Sequence, residues 1–278
     1  MSQVNRAKRT ICTTKTDFCG AKDSEKGFIT CTRKICMSAY NKNDPATIKR
    51  MFNDIATRYD RANAVLSFNL HKQWNSKLVN EVLLRDTPHT FLDLCSGTGD
   101  IALNYLLNAD APCRAYLIDF SANMLSRAKN KLDSPSFENH QIDYVEADVQ
   151  SLPLGDNCID SASMAYGIRN VKNPSQSLSE VYRVLKPGGK VGLLELTQPQ
   201  NSLLKFGHFI YLKTILPILG KIVTNNQDAY NYLQGSIRTF ISPTELEKIM
   251  VDSGLTQIKR LPLAGGIATI LVGTKASQ

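Results

Sequence analysis

FLDLCSGTGD, residues 91–100, sets three apolar side chains, an aspartate and two closely spaced glycines into ten positions. Phe91, Leu92 and Leu94 have the character of a buried β-strand end, and Gly97 and Gly99 let the chain bend tightly and expose backbone N–H groups. Asp100, Ile101, Ala102 and Leu103 then open an amphipathic run, so the turn feeds a helix N-terminus. A strand, a glycine turn and a helix form the entry unit of a nucleotide-binding α/β fold. Taken alone the stretch is ambiguous. Gly97, Gly99 and Ala102 also satisfy the loose GxGxx(G/A) dinucleotide pattern, and Asp119 ends the next apolar run, RAYLID, where an acid would take ribose hydroxyls. A tight turn that binds nothing would carry the same short pattern.

Working outward, the order of elements is readable from residue 44. Asp44 and Pro45 can cap and start a helix through about Tyr59, and LHKQWNSKLVNEVLLRD makes a second with Trp74, Leu78 and Val82 on one face, so two helices are expected before the first strand. Strands near 90–94, 114–119, 142–147, 158–164 and 190–196 alternate with helical stretches near 100–109, 121–132 and 174–185. That alternation predicts a parallel sheet with helices on both faces and ligands at the carboxyl ends of its strands. SPTELEKIMVDSGL reads as a helix from a Ser-Pro start to a Gly stop, and strands near 255–260 and 267–273 follow, joined by PLAGG. A closing hairpin means that the sheet finishes with an antiparallel strand.

The chain has 278 residues, 42% of them hydrophobic, enough for one α/β domain with an extension or insertion. Net charge is +8, but residues 1–36 contribute +5 of it, so the basic balance belongs mostly to the N-terminus and is weak support for nucleic-acid binding. That segment has no hydrophobic periodicity and reads as a basic, disordered extension. Its cysteines, Cys12, Cys19, Cys31 and Cys36, form no CxxC pair and have no accompanying His, which argues against a zinc site. No apolar core of a secretory signal occurs. A basic, acid-poor composition leaves an organelle transit peptide open, and Met37, where periodic sequence begins, is an alternative translation start. Cys95, Cys113 and Cys158 in the body imply no disulfide scaffold and fit a reducing compartment.

Two further stretches narrow the ligand. EADVQSLPL puts Asp148 at a third strand end beside Val149, placed to meet an adenine by hydrogen bonding and apolar contact, and in VLKPGGKVGLLE the residues Pro187, Gly188 and Gly189 turn a helix into a strand. With the acid at Asp93, these features resemble class I S-adenosylmethionine-dependent methyltransferases: a Rossmann-like α/β fold, a mostly parallel seven-stranded sheet ending in an antiparallel hairpin, helices on both faces. The match then becomes closer. YDRANAVLSFNLHKQW (59–74), YGIRNVKNPSQSLSEVYRVLKPGGKVGLLELT (166–197) and YNYLQGSIRTF (230–240) resemble the UbiE-type ubiquinone/menaquinone C-methyltransferases over roughly residues 38–274. Departures are small: Ala62 for a usual Met, Ser96 for a common second Gly, Ala165 and Thr197 for usual Ser. Ala165 lies where the family touches the cofactor, so that contact is not carried over. Ser96 should cost little if its φ suits a non-Gly residue.

The resemblance implies a methyltransferase domain over 37–278 that methylates a ring carbon of a prenylated quinol with S-adenosylmethionine and no metal. It implies cofactor contacts from Asp93, Gly97, Thr98, Gly99, Asp119, Asp148 and Val149, with Thr98 and the Gly97–Gly99 backbone near the methionine end. A phenol of pKa about 10 lies roughly three units short of ionisation at neutral pH, about 4 kcal/mol, which a cation or base must help supply. Arg169, after the fourth strand, is the first candidate for that cation, with pairing to Asp60 or another acid as the plainer alternative. Tyr59 could join its network. His71, beside Trp74, is as readily a packing or capping residue.

An insertion, about 198–240, falls outside the common core. In residues 203–223, 13 of 21 positions are apolar but the longest uninterrupted run is four, so the segment should not span a bilayer. It reads either as a packed helix or as a lid over an apolar pocket that touches a membrane surface. The expected location is cytoplasmic, at the inner membrane face, or mitochondrial or plastid if residues 1–36 are a transit peptide; a homodimer stays open. The fold also serves RNA and protein methylation, but the body has no aromatic-interleaved basic stripe, so no nucleic-acid partner is expected. A module that only sequesters cofactor is disfavoured by the substrate-side signature around Arg169. If residues 1–36 are a processed or non-native leader, a chain starting at Met37 should bind cofactor and turn over normally. Calorimetry and turnover check this, and lost activity with an intact fold would assign the extension to the enzyme.

Overall fold

The computed structural model describes residues 44–216 and 227–277. The expectations for residues 1–36, and part of those for the 198–240 insertion, lie outside the described residues.

Alternating apolar runs and amphipathic segments build one seven-stranded sheet in the order β3-β2-β1-β4-β5-β7-β6. Its strands are β1 (His89–Leu94), β2 (Cys113–Asp119), β3 (Gln141–Glu146), β4 (Ile159–Ala165), β5 (Leu185–Leu196), β6 (Leu255–Leu263) and β7 (Ala268–Lys275). The first five pair in parallel and β7 runs antiparallel to both β5 and β6. Strand order reverses between β1 and β4, and the crevice outside their carboxyl ends is where such a sheet receives ligands.

Residues alternate across β1. Phe91 packs into a cluster with Trp74, Leu78, Ile101 and Leu125, while Leu92 and Leu94 join Leu178, Val181 and Leu246 on the opposite side. The first face is covered by α3 (Leu70–Val82), α4 (Asp100–Leu107) and α5 (Ala122–Leu132), the second by α6 (Pro174–Val184) and α9 (Pro243–Asp252). Phe91 also stacks on Tyr105 with ring centroids 3.7 Å apart. Caps read in the sequence are made: Asp44 accepts from Ala46 N–H at 3.2 Å, and Ser242 and Glu245 form a capping box at the start of α9.

Three departures matter. Helix α1 (Pro45–Ile55) stops short of Tyr59, and after a 3-10 turn at Ala56–Arg58 a separate α2 (Tyr59–Leu66) begins, so three α-helices, not two, precede β1. No Pro or Gly marks this break. It is set by packing, since α1 meets α5 and Phe52 meets Phe120 edge-on at 6.0 Å, while α2 turns towards the glycine loop. Secondly, Pro187, Gly188 and Gly189 do not precede β5 but bulge out of its ladder, between the Ile159↔Leu185 and Ser161↔Lys190 pairings. Thirdly, the insertion supplies α7 (Ser202–Ile210), a π-helical turn (Tyr211–Ile215) and α8 (Gln227–Thr239). Among the described residues no helix is long and apolar enough to cross a membrane.

Candidate active site

The carboxyl ends of β1, β2, β3 and β4 surround a cavity of about 350 Å³ whose walls include Gly97, Asp119, Phe120, Asp148, Val149 and Ala165. Asp119 closes β2, nearly buried, with Oδ2 accepting from Gly97 N–H and Oδ1 from Ser121 N–H, both at 2.9 Å. Burial raises its carboxyl to about 6 against those backbone donors. Each oxygen keeps a further acceptor position, which suits a vicinal diol. Val149 is buried, whereas Asp148 is exposed and accepts from Gln150 N–H at 2.9 Å. Lys49 of α1 pairs with Glu146 at the end of β3, a strap across this cavity that no local pattern announced.

A second, smaller cavity of about 40 Å³ adjoins it, lined by Asp93, Gly97, Thr98, Tyr59, His71 and Tyr166 among others. Asp93 is buried on β1. Its Oδ1 accepts from the Ser163 hydroxyl at 2.8 Å, its Oδ2 has no partner among the described residues, and burial raises the carboxyl to about 7. An orphaned carboxylate oxygen is an acceptor waiting for an ammonium group. Gly97 (φ 54) and Gly99 (φ 80) hold left-handed backbone, and a Cβ on Gly99 would stand 3.0 Å from Ala128 Cβ, so Gly99 lets the loop close on α5. Ser96 does not take a positive φ; that strain falls on Cys95 (φ 52) at the end of β1 and Tyr166 (φ 56) at the end of β4. Thr98 donates its hydroxyl to Asp60, and Lys131 joins Asp60 and Asp100, locking α2 to the glycine loop. The side chain of Thr98 therefore faces α2 and anchors the glycine loop to it.

Beyond this lies an apolar chamber of about 380 Å³ lined by residues of α2, α3, α7 and α8. Arg169 lines it, nearly buried, but is not free: its guanidinium pairs with Glu195 near the end of β5, and its backbone N–H donates to the same carboxylate at 3.3 Å. The plainer alternative thus holds in part, with Glu195 rather than Asp60 as the acid. Among the described residues the Arg169 Nε–H has no acceptor. Glu195 escaped sequence reasoning, although an acid inside the apolar run GLLEL was a signal. Tyr166 was also missed as a lining residue; its hydroxyl donates to Asn75 at 3.1 Å. Burial raises the Tyr59 and Tyr166 hydroxyls, with Arg169 opposing this at Tyr59. Among the described residues no cluster of metal-ligating side chains occurs.

The two cavities at the strand ends fit S-adenosylmethionine: a diol acceptor in Asp119, an apolar slot by Phe120 and Val149, and an orphaned acid in Asp93. Comparison with known proteins agrees. The sequence model of the ubiE/COQ5 methyltransferase family matches residues 39–275. A demethylmenaquinone methyltransferase of Protochlamydia amoebophila is 56% identical over 86% of this chain and 99% of its own. One from Chlamydia trachomatis serovar L2 is 42% identical over 83% and 97%. Among solved structures, one of a possible histamine N-methyltransferase of Thermotoga maritima superposes with TM-score 0.55 at 18% identity, covering 81% of this chain and 99% of that one. A complex of a Haloferax volcanii methyltransferase with its Trm112 activator gives 0.57 at 15%, covering 81% and 97%. Such distant structures establish the fold alone, the class I methyltransferase fold. With the family model spanning nearly all of the described sheet and helices, the chain belongs to the ubiE/COQ5 methyltransferase family.

Proposed function

We propose that this chain methylates a ring carbon of a prenylated demethylnaphthoquinol, the final methylation of menaquinone synthesis, using S-adenosylmethionine. One observation carries the reading: the cavity fit for the methionine end and the apolar chamber share a wall of Tyr59, Asn63, His71 and Tyr166, so a donor and a greasy acceptor would meet there. The names of the 56% and 42% identical relatives support a naphthoquinol as the substrate.

When bound, S-adenosylmethionine supplies an electrophilic methyl on a sulfonium with a neutral leaving thioether, so no metal is needed. The protein's share is to hold and ionise the quinol. Asp119 receives the ribose hydroxyls, Asp148 and Val149 flank the adenine, and Asp93 takes the ammonium group. Arg169, oriented by Glu195 and lining the chamber, favours the negative charge that develops on a quinol oxygen. Tyr59, at the shared wall, packs the quinol ring against the methyl.

A prenyl tail must enter from lipid. Phe68 and Leu203, which line the chamber, are 67% and 79% exposed, Phe206 of α7 is 62% exposed, and Phe209 of α7 lies under the Lys213 and Arg238 cations at 5.5 and 5.8 Å. Exposed apolar side chains with two cations close by suit a peripheral seat on an anionic bilayer, with the enzyme on the cytoplasmic side. Supplying labelled S-adenosylmethionine with reduced and oxidised demethylmenaquinone, a demethylated benzoquinol and RNA tests the reading. Label should enter a ring carbon of the reduced naphthoquinol, and the oxidised form, with no hydroxyl proton to lose, should be inert. Label on oxygen, or on RNA alone, would refute it.

A further inference from the structure

We infer that His71 is the general base of the reaction, its Nε2 taking the hydroxyl proton of the bound quinol. The inference rests on the quinol reading above and deepens it. Of the four residues on the wall shared by the two chambers, an asparagine is not basic, and Tyr59 and Tyr166 have hydroxyls that burial holds protonated. Only the imidazole remains as a proton acceptor at neutral pH. Arg169 lines the apolar chamber but not the methionine-end cavity, and a guanidinium paired with a buried carboxylate cannot accept a proton.

The local hydrogen bonds fix which nitrogen is free. The Ser67 hydroxyl lies 2.6 Å from the Asn63 carbonyl oxygen, to which it donates its single proton. Its 2.7 Å contact with His71 Nδ1 must therefore run from the imidazole N–H to Ser67 Oγ. The neutral ring then carries its hydrogen on Nδ1 and a bare lone pair on Nε2, for which the described residues provide no partner. This is the arrangement a catalytic imidazole needs, one nitrogen held and the other without a protein partner.

Burial favours the neutral ring before reaction. Burial lowers His71, Asp100 opposes, Lys72 lowers it further, and Asp60 opposes; Asp93, Tyr59 and Tyr166 complete the wall. His71 is also the second residue of α3, whose N-terminal partial positive charge disfavours an imidazolium. In the reaction the hydroxyl O–H breaks and its proton goes to Nε2 while the oxygen's electron pair is delocalised to the ring carbon. That carbon bonds to the methyl as the methyl–sulfur bond breaks with its pair to sulfur. The methylated carbon then sheds its hydrogen as a proton and the oxygen recovers one from Nε2, so a single proton leaves overall.

The test is single-turnover methylation of the demethylnaphthoquinol by wild type and His71→Asn across pH, under anaerobic conditions. Quinol affinity is read separately from the fluorescence of Trp74, the single tryptophan, which lines the same chamber. General-base catalysis is worth about 10²–10⁴-fold, so His71→Asn should transfer methyl at least about 100-fold more slowly at pH 7 with quinol affinity within threefold. Wild type should show an acid limb set by an imidazole, and the variant a rate that keeps rising towards the phenol pKa and converges on wild type there. Independently of turnover and of any substitution, ¹⁵N resonances of wild-type His71 should report a protonated Nδ1 and a bare Nε2, with Nε2 becoming hydrogen-bonded when quinol binds without cofactor. A quinol-active wild type whose His71→Asn variant keeps its rate and acid limb overturns the base assignment alone, as does an Nε2 indifferent to quinol. A wild type that methylates no quinol overturns the functional reading and this assignment with it.

Discussion

Asp119→Ala should fold yet bind S-adenosylmethionine about 10²- to 10⁴-fold more weakly. Two charge-assisted hydrogen bonds to ribose hydroxyls contribute about 1.5–3 kcal/mol each, and the cavity provides them from one carboxylate. The same oxygens hold Gly97 N–H and Ser121 N–H at 2.9 Å, so the substitution also loosens the loop whose backbone faces the cofactor. Because burial raises this carboxyl to about 6, the charge-assisted part of the affinity should persist above that pH and fade as pH drops through it. Asp93 adds a second signature. Its carboxyl, raised to about 7, should release a proton when an ammonium group docks on Oδ2, so the binding enthalpy near neutral pH should vary with the ionisation enthalpy of the buffer. Calorimetry measures both, and undiminished binding by a folded Asp119→Ala protein would remove Asp119 from the site.

Arg169→Ala should lose both stability and rate, and the two losses separate. Removing the guanidinium strands Glu195, which is 1% exposed, as a buried unpaired carboxylate. That costs about 3–5 kcal/mol, which for a domain of this size lowers Tm by roughly 10 °C. Loss of a charge-assisted contact to the developing phenolate slows methyl transfer roughly 10–200-fold, with cofactor binding little changed. Raising pH ionises the quinol unaided, so the rate defect should shrink in alkaline buffer. Combining Arg169→Met with Glu195→Gln should restore most of the melting temperature while leaving transfer slow. Scanning calorimetry and single-turnover rates, taken where each variant is folded, decide it: an Arg169→Ala enzyme as fast as wild type at neutral pH confines the pair to holding β5 against the loop after β4.

The sequence by itself determined what depends on local periodicity and turn chemistry. The strand at Phe91–Leu94, the glycine turn, Asp119 at a strand end, the alternation behind a parallel sheet and the closing hairpin all follow from residues a few positions apart. Asp93, Gly97, Asp148 and Val149 line the two cavities because strand ends in a parallel sheet converge on one edge. What only the tertiary structure decided is set by distant partners. The break between α1 and α2 carries no Pro or Gly and is imposed by α5 and the glycine loop. Glu195 reaches Arg169 through the β4–β5 register, 26 residues along the chain, and Lys49 reaches Glu146 across 97. His71 read as readily as a packing or capping residue as a weaker catalytic candidate, because nothing near it in sequence reveals a wall shared with Tyr166, 95 positions away. Periodicity reports which face a side chain takes, whereas the chemistry it can do depends on which charges and cavities the folded chain brings to that face.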